Sequence, residues 1–256
     1  MIRLIRPLIA LLVVALLTPM LRAQASLPSG KQIIEQSIEK AGGREAASKV
    51  RTRITELTMS IPTVNIDGRM TLTQDADNAL VEVELAGMGK TRTGLSNGVV
   101  WEDSPMTGVR IVEGAEREQQ LRTFKLNSDL DYEKYYESIE TVGKEEVDGR
   151  NAFKIKLTPK TGSPETRYYD AENFQLLKLE GSVESAMGQI QMVSKFSDYK
   201  EFDGLLTPTT VTQTVQGMEL ITKVTSIRNN VEIAPGTFEL PESVKQMLNK
   251  PAPAGN

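Results

Sequence analysis

The sequence predicts a mainly β (α+β) protein: a single antiparallel, strongly curved sheet forming an unclosed β-barrel, covered by an N-terminal helix and a helical insert. Three observations predict it. From Thr52 onward apolar residues recur at every second position through most of the chain. Short breaks rich in Asp, Asn and Gly separate these runs, as hairpin turns require. Only the stretches near residue 30, from Gly114 to Tyr136 and near residue 245 have helical character, which is little material to fill a wide concave face. A sheet with one apolar face must close on itself, stack on a second sheet or be covered by helices. A fully packed β-sandwich with helical decoration is the alternative, and the pattern leaves both open.

Residues 1–25 read as a Sec signal peptide. Arg3 and Arg6 precede the apolar run Leu8–Leu17, and Ala23-Gln24-Ala25 supplies a small-x-small cleavage site. The competing reading, a retained membrane anchor, is disfavoured by the short run and by Pro19. The expectation is a periplasmic or secreted domain over 26–249, with a disordered tail over 250–256. The chain carries 30 Lys+Arg and 34 Asp+Glu, a net charge of −4. Removing Arg3, Arg6 and Arg22 leaves 27 basic residues and a net charge of −7. That acidic balance argues against nucleic acid as a partner and against a basic membrane-docking surface. The absence of Cys excludes disulfides and an acylated N-terminal cysteine, so no stable membrane anchor is expected after cleavage. The absence of His excludes a Ser-His-Asp triad and any His-ligated zinc site. A monomeric non-enzyme with no cofactor and no metal is expected.

In chain order, Ser29 caps a helix from Gly30 to about Ala41. Ile33, Ile34 and Ile38 share one face of it, with Gln32, Glu35 and Glu39 opposite. Gly42-Gly43 ends it, and a turn from Arg44 to Val50 leads into the sheet. Arg53–Ile61, Val64–Gln74 and Ala79–Leu85 follow as strands; Met70 and Leu72 share a face of the second, and Val81 and Val83 a face of the third. Lys90–Leu95 and Val99–Glu102 flank the turn Ser96-Asn97-Gly98, and Val109–Val112 adds a short strand. Gly114–Tyr136 breaks the alternation and reads as a helical crossover. Its Tyr132, Tyr135 and Tyr136 either gate a cavity mouth or pack the loop onto the sheet. Glu140–Glu146 and Ala152–Leu157 pair about Asp148-Gly149-Arg150. A run ending at Asp170, then Phe174–Val183, Gln189–Tyr199, Leu205–Val215 and Glu219–Ile227, complete a meander of about ten or eleven strands. A short helix from Glu242 to Leu248 closes the domain.

The carboxylates near turns, Asp170, Asp198, Glu201 and Asp203, read as turn formers rather than catalytic acids, and so do Asp67-Gly68 and Asp148-Gly149. The Asp-x-Asp spacing of a calcium loop is missing. Met59, Met70, Met88, Met106, Met187, Met192 and Met218 are spread over the sheet and its turns. Thioethers either fill core gaps or adapt to shapeless partners such as acyl chains.

Several segments recur together in a known family: the helix ending in Gly-Gly (Ile33–Gly43), Val50–Ile54 and the Asn-Gly-x-x-Trp of Asn97–Trp101. Further along come Glu145–Leu157, Tyr169–Leu177 and Phe196–Pro208, in the same order. Together they resemble the outer-membrane lipoprotein-sorting proteins, a group similar to the periplasmic lipoprotein carrier LolA and its receptor LolB. The resemblance implies an unclosed barrel lidded by helices, with a hydrophobic cavity for lipoprotein acyl chains or other lipids. No arginine sits in a motif matching the one with which LolA-type carriers hold the lid closed; Arg44, Arg51 and Arg53 are the basic residues nearby.

The expected function is therefore a periplasmic carrier or binding protein for lipids or acylated lipoproteins, with envelope proteins as further partners. The alternative is a non-enzymatic envelope interaction module with a packed interior. Candidate cavity-lining residues are Met70, Leu72, Val81, Val83, Phe153, Ile155, Ile190 and Met192, although strand alternation does not say which apolar face is the cavity.

Overall fold

The computed structural model describes residues 26–185 and 188–249. The expected signal peptide, the tail 250–256 and Met187 lie outside the described residues. Helices α1 (Gly30–Lys40) and α2 (Gly43–Ser48) precede strands β1 (Arg53–Ile61), β2 (Ile66–Gln74), β3 (Ala79–Leu85), β4 (Gly89–Ser96), β5 (Val99–Ser104) and β6 (Gly108–Val112). An insert of α3 (Gly114–Phe124), a 3-10 turn (Ser128–Asp131) and α4 (Tyr132–Tyr135) follows. Then come β7 (Tyr136–Val147), β8 (Arg150–Pro159), β9 (Glu165–Asp170), β10 (Leu176–Ser185), β11 (Gly188–Phe202), β12 (Leu205–Val215) and β13 (Met218–Asn229). Helix α5 (Glu242–Asn249) ends the described chain.

All thirteen strands form one antiparallel sheet in the order β6-β5-β4-β3-β2-β1-β13-β12-β11-β10-β9-β8-β7. The first and last strands are thus neighbours at its centre. Its two edges, β6 and β7, are consecutive in the chain, and the helical insert carries the chain from one to the other. Among the described residues no ladder joins them, so the barrel is unclosed. The packed two-sheet sandwich is ruled out. The described residues hold thirteen strands, more than the ten or eleven expected, because each of the runs read from the sequence, short ones included, pairs into the sheet.

Local chemistry explains most element ends. Ser29 accepts a hydrogen bond from the Gln32 backbone while the Gln32 side chain accepts one from Ser29, a reciprocal cap worth about 1 kcal/mol. Gly42, at φ 117°, ends α1; a Cβ there would lie 2.2 Å from the Gly204 carbonyl oxygen. The chain therefore crosses the β11–β12 turn at backbone contact, fixed by a hydrogen bond from Leu206 to the Ala41 carbonyl. Three boundaries differ from expectation. Val64 belongs to a 3-10 turn, Phe174 lies in a turn at φ 61°, and Tyr136 already starts β7. Asp67-Gly68 is not a turn but the start of β2, where glycine lets the strand press against Glu84 and Leu85 of β3.

The concave face is packed unevenly. At one side α1 lies on β7 and β8, and Ile33, Ile34, Phe153, Ile155, Leu157 and Tyr169 form a closed cluster with Tyr132 and Tyr136. Each such side chain contributes about 1.5–3 kcal/mol when fully buried. At the other side Leu121 and Phe124 of α3 pack on Ala79, Leu95, Val100 and Val112. Between these clusters lie β1, β13, β12 and β11, where Leu57, Val224, Val211 and Phe196 stay half-buried.

Candidate functional site

The uncovered middle of the sheet forms the wall of a cavity of about 760 Å³. Strand alternation sets the wall. Register places Leu57 opposite both Met70 and Val224, Thr55 opposite Leu72 and Ile227, and Phe196 opposite Val211. All of these line the cavity. The lid comes from α1 and α2 on one side and from α3 to α4 on the other, contributing Ile34, Ile38, Leu126, Leu130 and Tyr132.

The lid is tied down at named points. Arg44 on α2 donates to the Leu130 carbonyl at 2.7 Å and to both carboxylate oxygens of Glu35 at 3.1 and 2.5 Å. The Tyr132 hydroxyl donates to the same Glu35 at 2.9 Å. The hydrogen bond from Arg44 holds the Glu35 carboxyl below its ordinary value, against the smaller upward push of burial. Burial and the bond to Glu35 push the Tyr132 hydroxyl up to about 12. On the far side, Gln119 of α3 donates to the Ser182 carbonyl at 2.6 Å and accepts from the Glu184 backbone at 2.9 Å, so α3 reaches across to β10. Arg110 of β6 anchors the start of α3 through Glu116, at 2.5 and 2.8 Å.

At two places charged side chains are set into the sheet itself. Arg167 pairs with Glu165 at 2.6 Å and donates to the Tyr136 hydroxyl at 2.7 Å, while that hydroxyl donates to Glu165 at 2.8 Å. Burial raises the Glu165 carboxyl, but Arg167 and Tyr136 lower it further, so it stays ionised below its ordinary range. Arg53, at the α2 end of the wall, donates from Nε to Asn229 at 2.8 Å, and Asn229 in turn donates to Asp203 at 2.9 Å. Burial lowers the Arg53 guanidinium, and the more distant Asp203 only partly offsets it. No group of His, Cys, Asp or Glu among the described residues is arranged to hold a metal ion.

The eight residues proposed from sequence divide. Met70, Leu72 and Met192 line the cavity. Val81 and Val83 share their face, opposite Leu72 and Met70, but lie one strand further out and do not line it. Phe153 and Ile155 are also on the concave face but are consumed by the cluster beneath α1. Ile190 pairs with Val183 near the β10–β11 turn, beyond the cavity's reach. Tyr132 and Tyr136 pack the insert onto the sheet, with Tyr135 against the same cluster, and Tyr132 and Tyr136 also line the cavity. Leu57, Phe196, Val211 and Val224 were missed. Their alternation was legible, but their place opposite the gap depends on β1 pairing with β13.

An open sheet wrapped around an apolar cavity beneath a helical lid defines the class: this is a LolA-like fold. A LolA superfamily protein from Nitrosomonas europaea is similar over 84% of this chain and 99% of its own, with a TM-score of 0.57 at 14% identity. An outer membrane lipoprotein-sorting protein domain from Vibrio parahaemolyticus is similar over 86% of this chain and all of its own, with a TM-score of 0.56 at 14% identity. A DUF1329 family protein from Desulfovibrio piger matches over 84% and 98%, with a TM-score of 0.56 at 15% identity. No protein-family model and no curated protein matches the chain. Among the described residues no helix is long and apolar enough to cross a membrane.

Proposed function

We propose that this chain is a non-enzymatic carrier or binding protein for lipids or acylated lipoproteins of the cell envelope, held by their acyl chains in the cavity. The observation that carries this reading is the uneven packing. Flanking parts of the concave face are filled by the protein's own side chains, while the middle keeps an apolar wall facing a cavity of about 760 Å³. That volume lies within the roughly 300–1,000 Å³ of small-molecule sites. Each methylene transferred into it gains about 0.8 kcal/mol. Association costs at least about 4 kcal/mol, so only a long chain leaves a useful surplus. The signal-like residues 1–25 and the lipoprotein-sorting neighbour of the same fold support an envelope role.

The test is purification from a bacterial periplasm, solvent extraction and mass spectrometry, followed by titration with a fluorescent long-chain fatty acid. Co-purifying lipid near one per chain is expected, and Met70→Glu should weaken probe binding at least about tenfold by placing a charge on the wall. Lipid-free protein that binds no long-chain probe would sink the proposal in favour of an interaction module.

A further inference from the structure

The charges around the cavity do not match those of the molecule. The chain as a whole is acidic, at −4. The residues lining the cavity include five cations, Lys40, Arg53, Arg122, Lys125 and Arg167, against two anions, Asp129 and Glu165. These cations are not equivalent. Arg167 is neutralised by Glu165 at 2.6 Å. Arg122 donates to the Thr161 carbonyl at 3.2 Å and lies over the Tyr136 ring, and Lys125 stands 4.0 Å from Asp77. Lys40 has no ion pair among the described residues either, but it is exposed at the end of α1, whereas Arg53 lies in the sheet. It is half-buried, it makes no ion pair among the described residues, and only its Nε has a hydrogen-bond partner, the neutral Asn229 side chain. Both terminal nitrogens of its guanidinium are left without a protein acceptor.

The position of Arg53 gives that free fork a direction. It is the first inward residue of β1, opposite Gln74 on β2 and Asn229 on β13. The next inward residues along the strand are Thr55, Leu57 and Met59, which continue the cavity wall. Along β1 the wall therefore runs from a cationic end at Arg53 to an apolar stretch at Leu57 and Met59. A planar guanidinium with two open donors matches a carboxylate or phosphate in bidentate geometry.

We propose that the cavity takes an amphiphile with an oxyanion head, carboxylate or phosphate, whose head sits against Arg53 while its chain runs along Leu57 and Met59. This rests on the lipid-binding reading above and narrows it from any acyl chain to an acidic one. Asn229 is a positioning residue: it fixes Nε and leaves the two terminal nitrogens presented to the ligand.

Four probes decide the matter: dodecanoate, dodecyl phosphate, dodecanol and inorganic phosphate, titrated by calorimetry below their micelle thresholds at neutral pH. At least one anionic probe should bind about tenfold or more tighter than dodecanol, the low end for hydrogen bonds to a charged group. The stronger of the two anionic probes identifies the head. Arg53→Met should erase the gap by weakening the anion far more than dodecanol, and Arg53→Lys should restore part of it. Inorganic phosphate should not displace the amphiphile; displacement at equal concentration would make this a free-oxyanion site and overturn the proposal. Equal binding of acid and alcohol by the unaltered protein, or a gap that survives in Arg53→Met, would also overturn it while leaving the cavity reading intact. Failure of dodecanol and both anions to bind would overturn that reading too. The comparison in the unaltered protein decides even where the Met variant fails to fold.

Discussion

Glu165 and Arg167 show how a charge can stand in an apolar wall. Each side chain is 15% exposed, and each satisfies the other through a short pair that also engages the Tyr136 hydroxyl. Removing one partner strands the other, which costs about 3–5 kcal/mol where the pair is buried. Glu165→Gln is therefore expected to lower stability by about 3 kcal/mol at pH 7, read from urea unfolding. The pH dependence has a definite sign. Because the folded Glu165 carboxyl sits below the unfolded value of 4.5, its contribution is complete above about pH 4.5 and is lost as the pH falls through the folded value. The unaltered protein should thus lose stability faster than Glu165→Gln on acidification from pH 5 to pH 3. Parallel losses would mean the pair does not control that limb.

The lid is better described by its ties than by its helices. The carboxylate and guanidinium of Glu35 and Arg44 are both more than 40% exposed, so their pairing alone is worth no more than about 1 kcal/mol. What makes Arg44 effective is geometry: one guanidinium binds α1 through Glu35 and the insert through the Leu130 carbonyl. Arg44→Met is expected to change the melting temperature little but to speed amide exchange several-fold over residues 128–135, measured by hydrogen–deuterium exchange. Unchanged exchange there would show that the Tyr132 cluster alone holds the insert. Much of this level was legible in the sequence. The Ser29 cap, the Ile33–Ile34 stripe and nearly every strand follow from local spacing, because cap chemistry and period-two alternation are local. Arg44 carried no such signal, since a carbonyl acceptor 86 residues away leaves no pattern. The same holds for Leu57, whose role depends on a partner strand at the other end of the chain. Sequence alternation groups Val81 with Val83 and Phe153 with Ile155 on one side of their strands, but only tertiary packing decides which side is concave and whether it is covered.

At the scale of the whole molecule the interior has two regimes, and truncations should separate them. Ile155 is fully buried in the cluster under α1, so Ile155→Ala is expected to cost about 2–5 kcal/mol. Leu57 already faces open space and has fewer contacts to lose; Leu57→Ala should cost less than half as much in the same denaturation experiment. Equal losses would mean that the middle of the sheet is as densely filled as its flanks. The seam between β6 and β7 carries a further consequence. Every neighbouring pair in the sheet is laced by backbone hydrogen bonds, whereas among the described residues no ladder joins β6 to β7 and the helical insert carries the chain between them. Spreading the seam would sacrifice side-chain ties such as Gln119 to Ser182 and leave the ladders whole. Girth is thus the dimension in which this sheet yields most cheaply: it can gape along one line while the rest of the wall keeps its shape.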